Sequence, residues 1–433
     1  MTEPVNKLAA SVKLLRSGDL HLQDYLDSLE TQFHKHEPLV RAFLTEAGRF
    51  DRLRQDARAL LQRYPNPQNR PALFGIPVGV KDIFNVDGFE TRAGSQLPAT
   101  EFEGPEAECV TRLKKAGALV LGKTVSAEFA YLAPGITVNP HHPAHTPGGS
   151  SSGSAAAVGA GMCALTLGTQ TVGSINRPAA FCGVVGLKPS YERVSRAGVL
   201  PVSTSLDHVG FFTSDTESAN LAASVMVRNW KLTTAEYRPV LGVPDGPYME
   251  EVSTPGRENF ELTCEILARG GYQILRISVM PDFDDIYNRH QLIVAAEAAL
   301  VHADWFIRYR PLYHEKTAGL IRRGMAVSQQ DLWSALAGRQ KLRNELTGIM
   351  VDAGIDMWIA PGATGTAPGG LDSTGDPIMN LPWTHSGLPA LSLPSGTDES
   401  GLPFGLQLVG KWHQDEAVMA WAAEIERLAS FDD

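Results

Sequence analysis

Apolar residues in the first 65 positions recur at helical spacing. Leu20, Leu22, Tyr25, Leu26 and Leu29 form one such set, and Phe50, Leu53, Ala57, Leu60 and Leu61 form another. Pro65-Asn66-Pro67 ends the second helix. The pattern then changes to short apolar runs of strand length: Ile76-Pro77-Val78-Gly79-Val80, Ala118-Leu119-Val120-Leu121 and Val184-Val185-Gly186-Leu187. Helical stretches around 106–116 and 152–163 separate them. Val240–Val243 is a further strand-like run. Helices are predicted over 256–269, 285–307 and 328–352, Gly/Pro-rich loops over 361–377, strands near 390–393 and 404–409, and a last helix over 414–428. Alternating strands and helices predict an α/β layered fold around a mixed sheet. No linker or internal repeat divides the chain. Residues 1–433 therefore read as one domain, with a helical segment at 1–65 and a helical cap at 282–352.

Composition narrows the function classes. A chain of 433 residues buries roughly three quarters of its surface on folding, ample for a large core. A formal charge of −10 makes nucleic acid and anionic membranes poor general partners. The four cysteines (Cys109, Cys163, Cys182, Cys264) form no C-x-x-C pair, so neither a disulfide framework nor a zinc ribbon is expected. Residues 1–30 are too charged for a secretory signal, and the expected compartment is the cytoplasm. From Thr146 to Asn176 no residue is charged, yet 16 of these 31 positions are Gly, Ser or Thr. Its most apolar stretch, Ala155–Gly168, falls short of the ~20 residues that cross a bilayer. Such a segment reads as buried backbone packed closely around a site.

Two short motifs invite other readings. Gly117–Thr124 matches G-x-x-x-x-G-K-[ST], but its middle residues Ala-Leu-Val-Leu favour a buried strand over a phosphate loop. Gly149–Gly153 matches G-x-S-x-G with Ser151 at its centre, but three prolines between Asn139 and Pro147 replace the strand that a nucleophile elbow requires. The same prolines deny His141 and His145 the helix that would put them on one face.

Three other segments combine better. Gly75–Asp82 places Lys81 at the end of an apolar run, Pro147–Ser154 is a Gly/Ser loop opening a small-residue helix, and Gly168–Ala180 is a polar turn leading into another helix. Serine at a helix start is commonly a cap, but capping does not account for all three segments together. With Ala180–Pro189, Ser205-Leu206-Asp207, Gly387–Pro394 and Gly401–Gly410, they resemble the amidase signature family of Ser–cisSer–Lys hydrolases, in order and over nearly the whole chain.

The resemblance implies one large mixed β-sheet covered by helices on both sides, a catalytic core over 66–240, and cleavage of a carbon–nitrogen amide bond without metal or cofactor. Carried over by position, Ser174 resembles the nucleophile, Ser150 the bridging serine after a cis Gly149–Ser150 bond, and Lys81 the base. The backbone N–H groups of Thr171, Val172, Gly173 and Ser174 resemble the oxyanion hole. The chemistry is coherent: a serine needs a positioned base, a lysine can serve only uncharged, and burial favours that form. The chain departs from the family where position 170 is usually acidic, 172 small and 176 arginine; here they are Gln170, Val172 and Asn176. Arg177 instead resembles the malonamidase branch, where arginine three after the nucleophile holds a substrate carboxylate; the alternative is a structural role.

The expected function is hydrolysis of a small amide or urea-like substrate, carboxylated or neutral, with release of ammonia or amine. The alternative is the A subunit of a tRNA-dependent amidotransferase, a glutaminase delivering ammonia to a partner. A small-molecule amide is the expected partner, and a homodimer is left open.

Overall fold

Ten strands join one sheet in this computed structural model, which describes residues 7–429. Residues 1–6, the start of the expected N-terminal helical segment, and 430–433 lie outside the described residues. The strands are β1 (Pro77–Lys81), β2 (Leu119–Thr124), β3 (Leu165–Gln170), β4 (Val185–Lys188), β5 (His208–Thr213), β6 (Leu241–Asp245), β7 (Ile274–Ser278), β8 (Met357–Pro361), β9 (Ala390–Thr397) and β10 (Pro403–Val409). They run in the order β2-β1-β3-β5-β4-β9-β10-β8-β6-β7. β1 pairs in parallel with β2 and β3, and β6 with β7 and β8, while the central pairs are antiparallel. The fold is α/β with a mixed sheet, as expected. β1 to β5 are buried at every position, so both sheet faces are covered there, whereas edge strand β7 is half-exposed.

The other edge, β2, is shielded by the N-terminal helices. Phe43 bridges Thr124, and Arg52 on helix Arg49–Arg63 donates to the Val120 and Leu121 carbonyls. Covering an edge in this way removes its free backbone groups from pairing with other chains. The P-loop-like residues Leu119–Thr124 are this buried strand itself, as their apolar character predicts. The expected helix 285–307 is two helices, Phe283–Val301 and Ala303–Tyr309, meeting at His302. The first packs on helices Glu315–Met325 and Gln329–Asp352. No described helix is long and apolar enough to cross a membrane.

The charge-free segment is buried almost throughout. Its helix Ser152–Gly159 uses small residues because neighbouring backbone approaches so closely. A Cβ on Gly153 would lie 2.2 Å from the Ala42 carbonyl oxygen and 2.5 Å from the Val125 nitrogen. Neither is a side chain that can swing aside, so Gly153→Ala should destabilise the fold by about 1–3 kcal/mol, the usual cost of overpacking. Chemical denaturation measures this directly; an unchanged midpoint would contradict the contact.

Candidate active site

β1 ends at Lys81, and its register beside β3 brings the lysine to the segment that follows Leu167. Lys81 is fully buried. Its Nζ lies 2.8 Å from Ser150 Oγ, 3.0 Å from Ser151 Oγ and 2.9 Å from Thr169 Oγ1. No carboxylate forms an ion pair with it among the described residues. Asp82 pairs instead with Lys123 at 2.9 Å, in keeping with neighbouring strand residues facing opposite ways. Burial without a counter-charge pushes the Lys81 amine well below the usual lysine range, against a weaker opposing pull from Asp207.

One of the three contacts around the amine has a fixed direction. Ser151 Oγ donates to the Thr169 carbonyl, so it faces Lys81 as an acceptor. An uncharged amine has two hydrogens and one lone pair. Donating one hydrogen to Ser151 leaves one hydrogen and the lone pair for the Thr169 and Ser150 hydroxyls, an arrangement in which Ser150 can donate to the amine. The Gly149–Ser150 peptide bond is cis. No strand precedes Ser151, and helix Ser152–Gly159 begins right after it, so the strand-to-helix turn of a nucleophile elbow is missing.

Ser174 lies two residues before helix Asn176–Cys182 and keeps slight exposure at 8%. Its hydroxyl makes no hydrogen bond among the described residues, so Lys81 and Ser150 are joined while Ser174 is not yet tied to them. Catalytic hydrogen bonds are often long in unliganded sites and tighten with substrate. The four backbone N–H groups from Thr171 to Ser174 also have no acceptor among the described residues. Gly173 is required by space, since a Cβ there would lie 2.4 Å from Asn380 Oδ1. Val172 fits without a left-handed backbone.

The turn is held from behind by neutral groups. Gln170 Oε1 accepts the Ile175 and Asn176 N–H groups at 2.8 and 2.9 Å, and its Nε2 donates to Asn176 Oδ1 and Thr384 Oγ1, both at 2.9 Å. Thr384 donates to the Val172 carbonyl at 2.6 Å. The paired departure from acid and arginine at 170 and 176 is thus one hydrogen-bonded amide pair in a fully buried place. Asp207, buried, accepts from Thr171 Oγ1 at 2.6 Å; burial raises its carboxyl to about 6 despite that bond.

Arg177 is almost fully buried. Nη1 donates to the Gly375 carbonyl at 2.6 Å; Nη2 donates to the Gly149 carbonyl at 2.6 Å and to Thr374 Oγ1 at 3.0 Å. Burial lowers its pKa to about 10. Nη2 therefore grips the peptide just before Ser150, while Nη1 holds the loop at Gly375. Sequence reasoning missed the roles of Ser151, Thr169, Thr384 and Asp207. Ser205-Leu206-Asp207 stood in a recognised motif, but nothing in its spacing names the partner of the carboxylate.

The Amidase family model matches residues 25–419. The chain is 31% identical to the A subunit of the glutamyl-tRNA(Gln) amidotransferase of Synechococcus sp. (strain CC9311), covering 96% of this chain and 95% of that protein. A crystal structure of an amidase superposes with a TM-score of 0.87 at 31% identity, covering 97% of this chain and 99% of the other. The A subunit of the glutamyl-tRNA(Gln) amidotransferase of Thermotoga maritima superposes with a TM-score of 0.76 at 26% identity, covering 94% of this chain and 92% of the other. Family model, chain-wide identity and fold agree, and the chain belongs to the amidase signature family as an amide-hydrolysing enzyme.

Proposed function

We propose that the chain hydrolyses a small amide or urea-like substrate through an acyl group on Ser174, releasing ammonia or an amine. The observation that carries this reading is Lys81, buried without an ion-pair partner among the described residues, its pKa pushed well down, and 2.8 Å from Ser150 Oγ. In the first step Ser174 Oγ bonds to the amide carbon. Its proton passes to Ser150 as the Ser150 proton passes to Lys81. The carbonyl oxygen becomes an oxyanion facing the free N–H groups of residues 171–174. As the tetrahedral centre collapses, the carbon–nitrogen bond breaks and the leaving nitrogen regains a proton from Lys81 by way of Ser150. Water then repeats the relay, giving the carboxylic acid and free Ser174. No metal is needed, since the relay and the N–H groups cover both the proton and the charge.

Helices between 282 and 352 act in this reading as a cap within a single domain. Glu128 ties them to the serine loop: it accepts the His314 N–H at 3.0 Å and the Thr317 hydroxyl, while neighbouring Ala127 donates to the Ser150 carbonyl at 3.0 Å. The A subunit of an amidotransferase is the second reading, favoured by identity to such subunits. The higher structural similarity to an amidase favours a stand-alone hydrolase. The purified chain alone should release ammonia from small amides; release only with added partner subunits would favour the second reading.

Hydroxylamine added during turnover should divert the acyl group to a hydroxamate, with the acyl adduct mapped by mass spectrometry to Ser174; an adduct on Ser151 would overturn the assignment. Only the uncharged amine has a lone pair, so the rate should climb as pH rises through the depressed Lys81 pKa and level off well below 10.5. Lys81→Ala should abolish turnover, and near-normal rates in that variant would contradict the relay.

Arg177 enters this reading as a positioning residue through its hold on the Gly149 carbonyl. Arg177→Leu should lower kcat for neutral and carboxylated amides alike, by about tenfold or more for a lost charged hydrogen bond, with smaller changes in KM. A rise in KM confined to carboxylated amides would instead make it the carboxylate receptor.

A further inference from the structure

The turn from Thr171 to Ser174 is held at three points. Gln170 accepts the N–H groups just past its far end, and Thr384 donates to the Val172 carbonyl in its middle, both as neutral groups. Its start is held by a carboxylate. The Thr171 hydroxyl donates to Asp207 Oδ1 at 2.6 Å, a length usual for a hydroxyl bonded to an ionised acceptor. The antiparallel register, with Gln170 opposite His208, brings the residue after β3 against the residue before β5. A carboxylate here would also serve to cap its own loop, and Oδ2 does so, accepting the Val202 N–H at 2.8 Å and the Ser203 N–H at 3.1 Å. That loop has further anchors. Glu297, on cap helix Phe283–Val301, accepts from the Ser203 hydroxyl and from the Ser205 hydroxyl and N–H, and the Leu206 and Asp207 N–H groups close onto the Ser203 carbonyl. Oδ1 is left for Thr171.

The charge of Asp207 reaches further than its hydrogen bonds. Burial lifts its carboxyl to about 6, against its hydrogen bonds and a pull from Arg196 in the same loop, so it is ionised at neutral pH. Asp207 and Thr169 line one cavity of about 230 Å³, between β3, β5 and the loop 196–207, and Thr169 Oγ1 lies 2.9 Å from Lys81 Nζ. Asp207 is the charge that pulls against burial at Lys81, while Asp82, beside it in sequence, is paired with Lys123. This pull has a use. A buried amine with no opposing charge at all is a poor acceptor for a serine proton, and a base works best with its pKa near the operating pH.

We propose that Asp207 is a positioning residue of the reaction: through the Thr171 hydroxyl it fixes the start of the turn whose N–H groups meet the oxyanion, and across Thr169 its charge keeps the Lys81 amine basic. The proposal rests on the hydrolase reading and deepens it. The two effects are separable, because one needs the hydroxyl of Thr171 and the other needs the charge of Asp207.

The test measures ammonia release from small amides against pH, and the Lys81 titration by ¹³C NMR, in the full chain and its variants. Asp207→Asn keeps an oxygen for the Val202 and Ser203 N–H groups and an amide for Thr171 Oγ1, but removes the charge. Without that charge Lys81 gives up its proton more easily. The rising limb of the rate and the Lys81 midpoint should both move to lower pH by about one unit, and the rate above the limb should fall. Thr171→Val keeps the charge and removes the hydroxyl. It should lower kcat by about tenfold with little change in KM, and leave the limb in place. Thr171→Ser restores the hydroxyl and should recover most of that loss. A limb and midpoint unmoved by Asp207→Asn, or a Thr171→Val loss carried by KM, would overturn the proposal. Should Asp207→Asn not fold, Thr171→Val decides: an unchanged kcat overturns the proposal. The NMR midpoint is read in the resting protein, which separates this proposal from the hydrolase reading. Ammonia release with an unmoved midpoint overturns the proposal and leaves the hydrolase reading standing. A lowered midpoint with no ammonia from any small amide keeps the hold of Asp207 on Lys81 and overturns the hydrolase reading.

Discussion

A lysine buried without a counter-charge sets the terms for everything around it. Taking an ammonium group out of water costs several kcal/mol even after relaxation, and the group sheds its proton instead. Lys81 meets this condition at the end of a strand buried at every position. Three hydroxyls from two segments complete the shell: Ser150 and Ser151 from the loop before helix Ser152–Gly159, and Thr169 from β3. These groups solvate an amine without charging it. The parallel register of β1 and β3, the small-residue helix and the close backbone approach at Gly153 all serve to bring these oxygens to one nitrogen.

The surroundings keep compensating charge away or neutralise it. Asp82, next in sequence, is occupied by Lys123. Asp207 is engaged by one hydroxyl and two N–H groups. Behind the turn from Thr171 to Ser174, where an acid and an arginine are usual in the family, Gln170 and Asn176 satisfy each other as amides. An uncharged pair needs no desolvation of ions and still anchors two N–H groups beside Ser174. Arg177, a cation placed against the serine loop, grips backbone carbonyls.

Much of this was legible in the sequence because the informative residues sit in contiguous motifs. Lys81, Ser150 and Ser174 stand out through the apolar run, the Gly/Ser loop and the polar turn, and the structure brings Lys81 and Ser150 into contact. Other parts depend on pairing that spacing does not reveal. β3 reads as an apolar stretch running into a turn, because Gly168 and the threonines blur its alternation. β5, with Gly210 at its centre, and β8, at the border of a Gly/Pro-rich loop, were not expected as strands. Without the β3–β5 register, in which Gln170 stands opposite His208, nothing places Thr169, Asp207 and His208 around one cavity. The break at His302 was likewise hidden, because apolar spacing continues across it.

The central claim is that Lys81 is an uncharged amine at the pH where the enzyme works. Selective ¹³C labelling of lysine, with NMR titration of the Lys81 side-chain carbon assigned by Lys81→Met, reads its protonation directly in the resting protein. The account predicts a titration midpoint well below the usual 10.5. A Lys81 resonance that stays in the charged position up to pH 10 would contradict it.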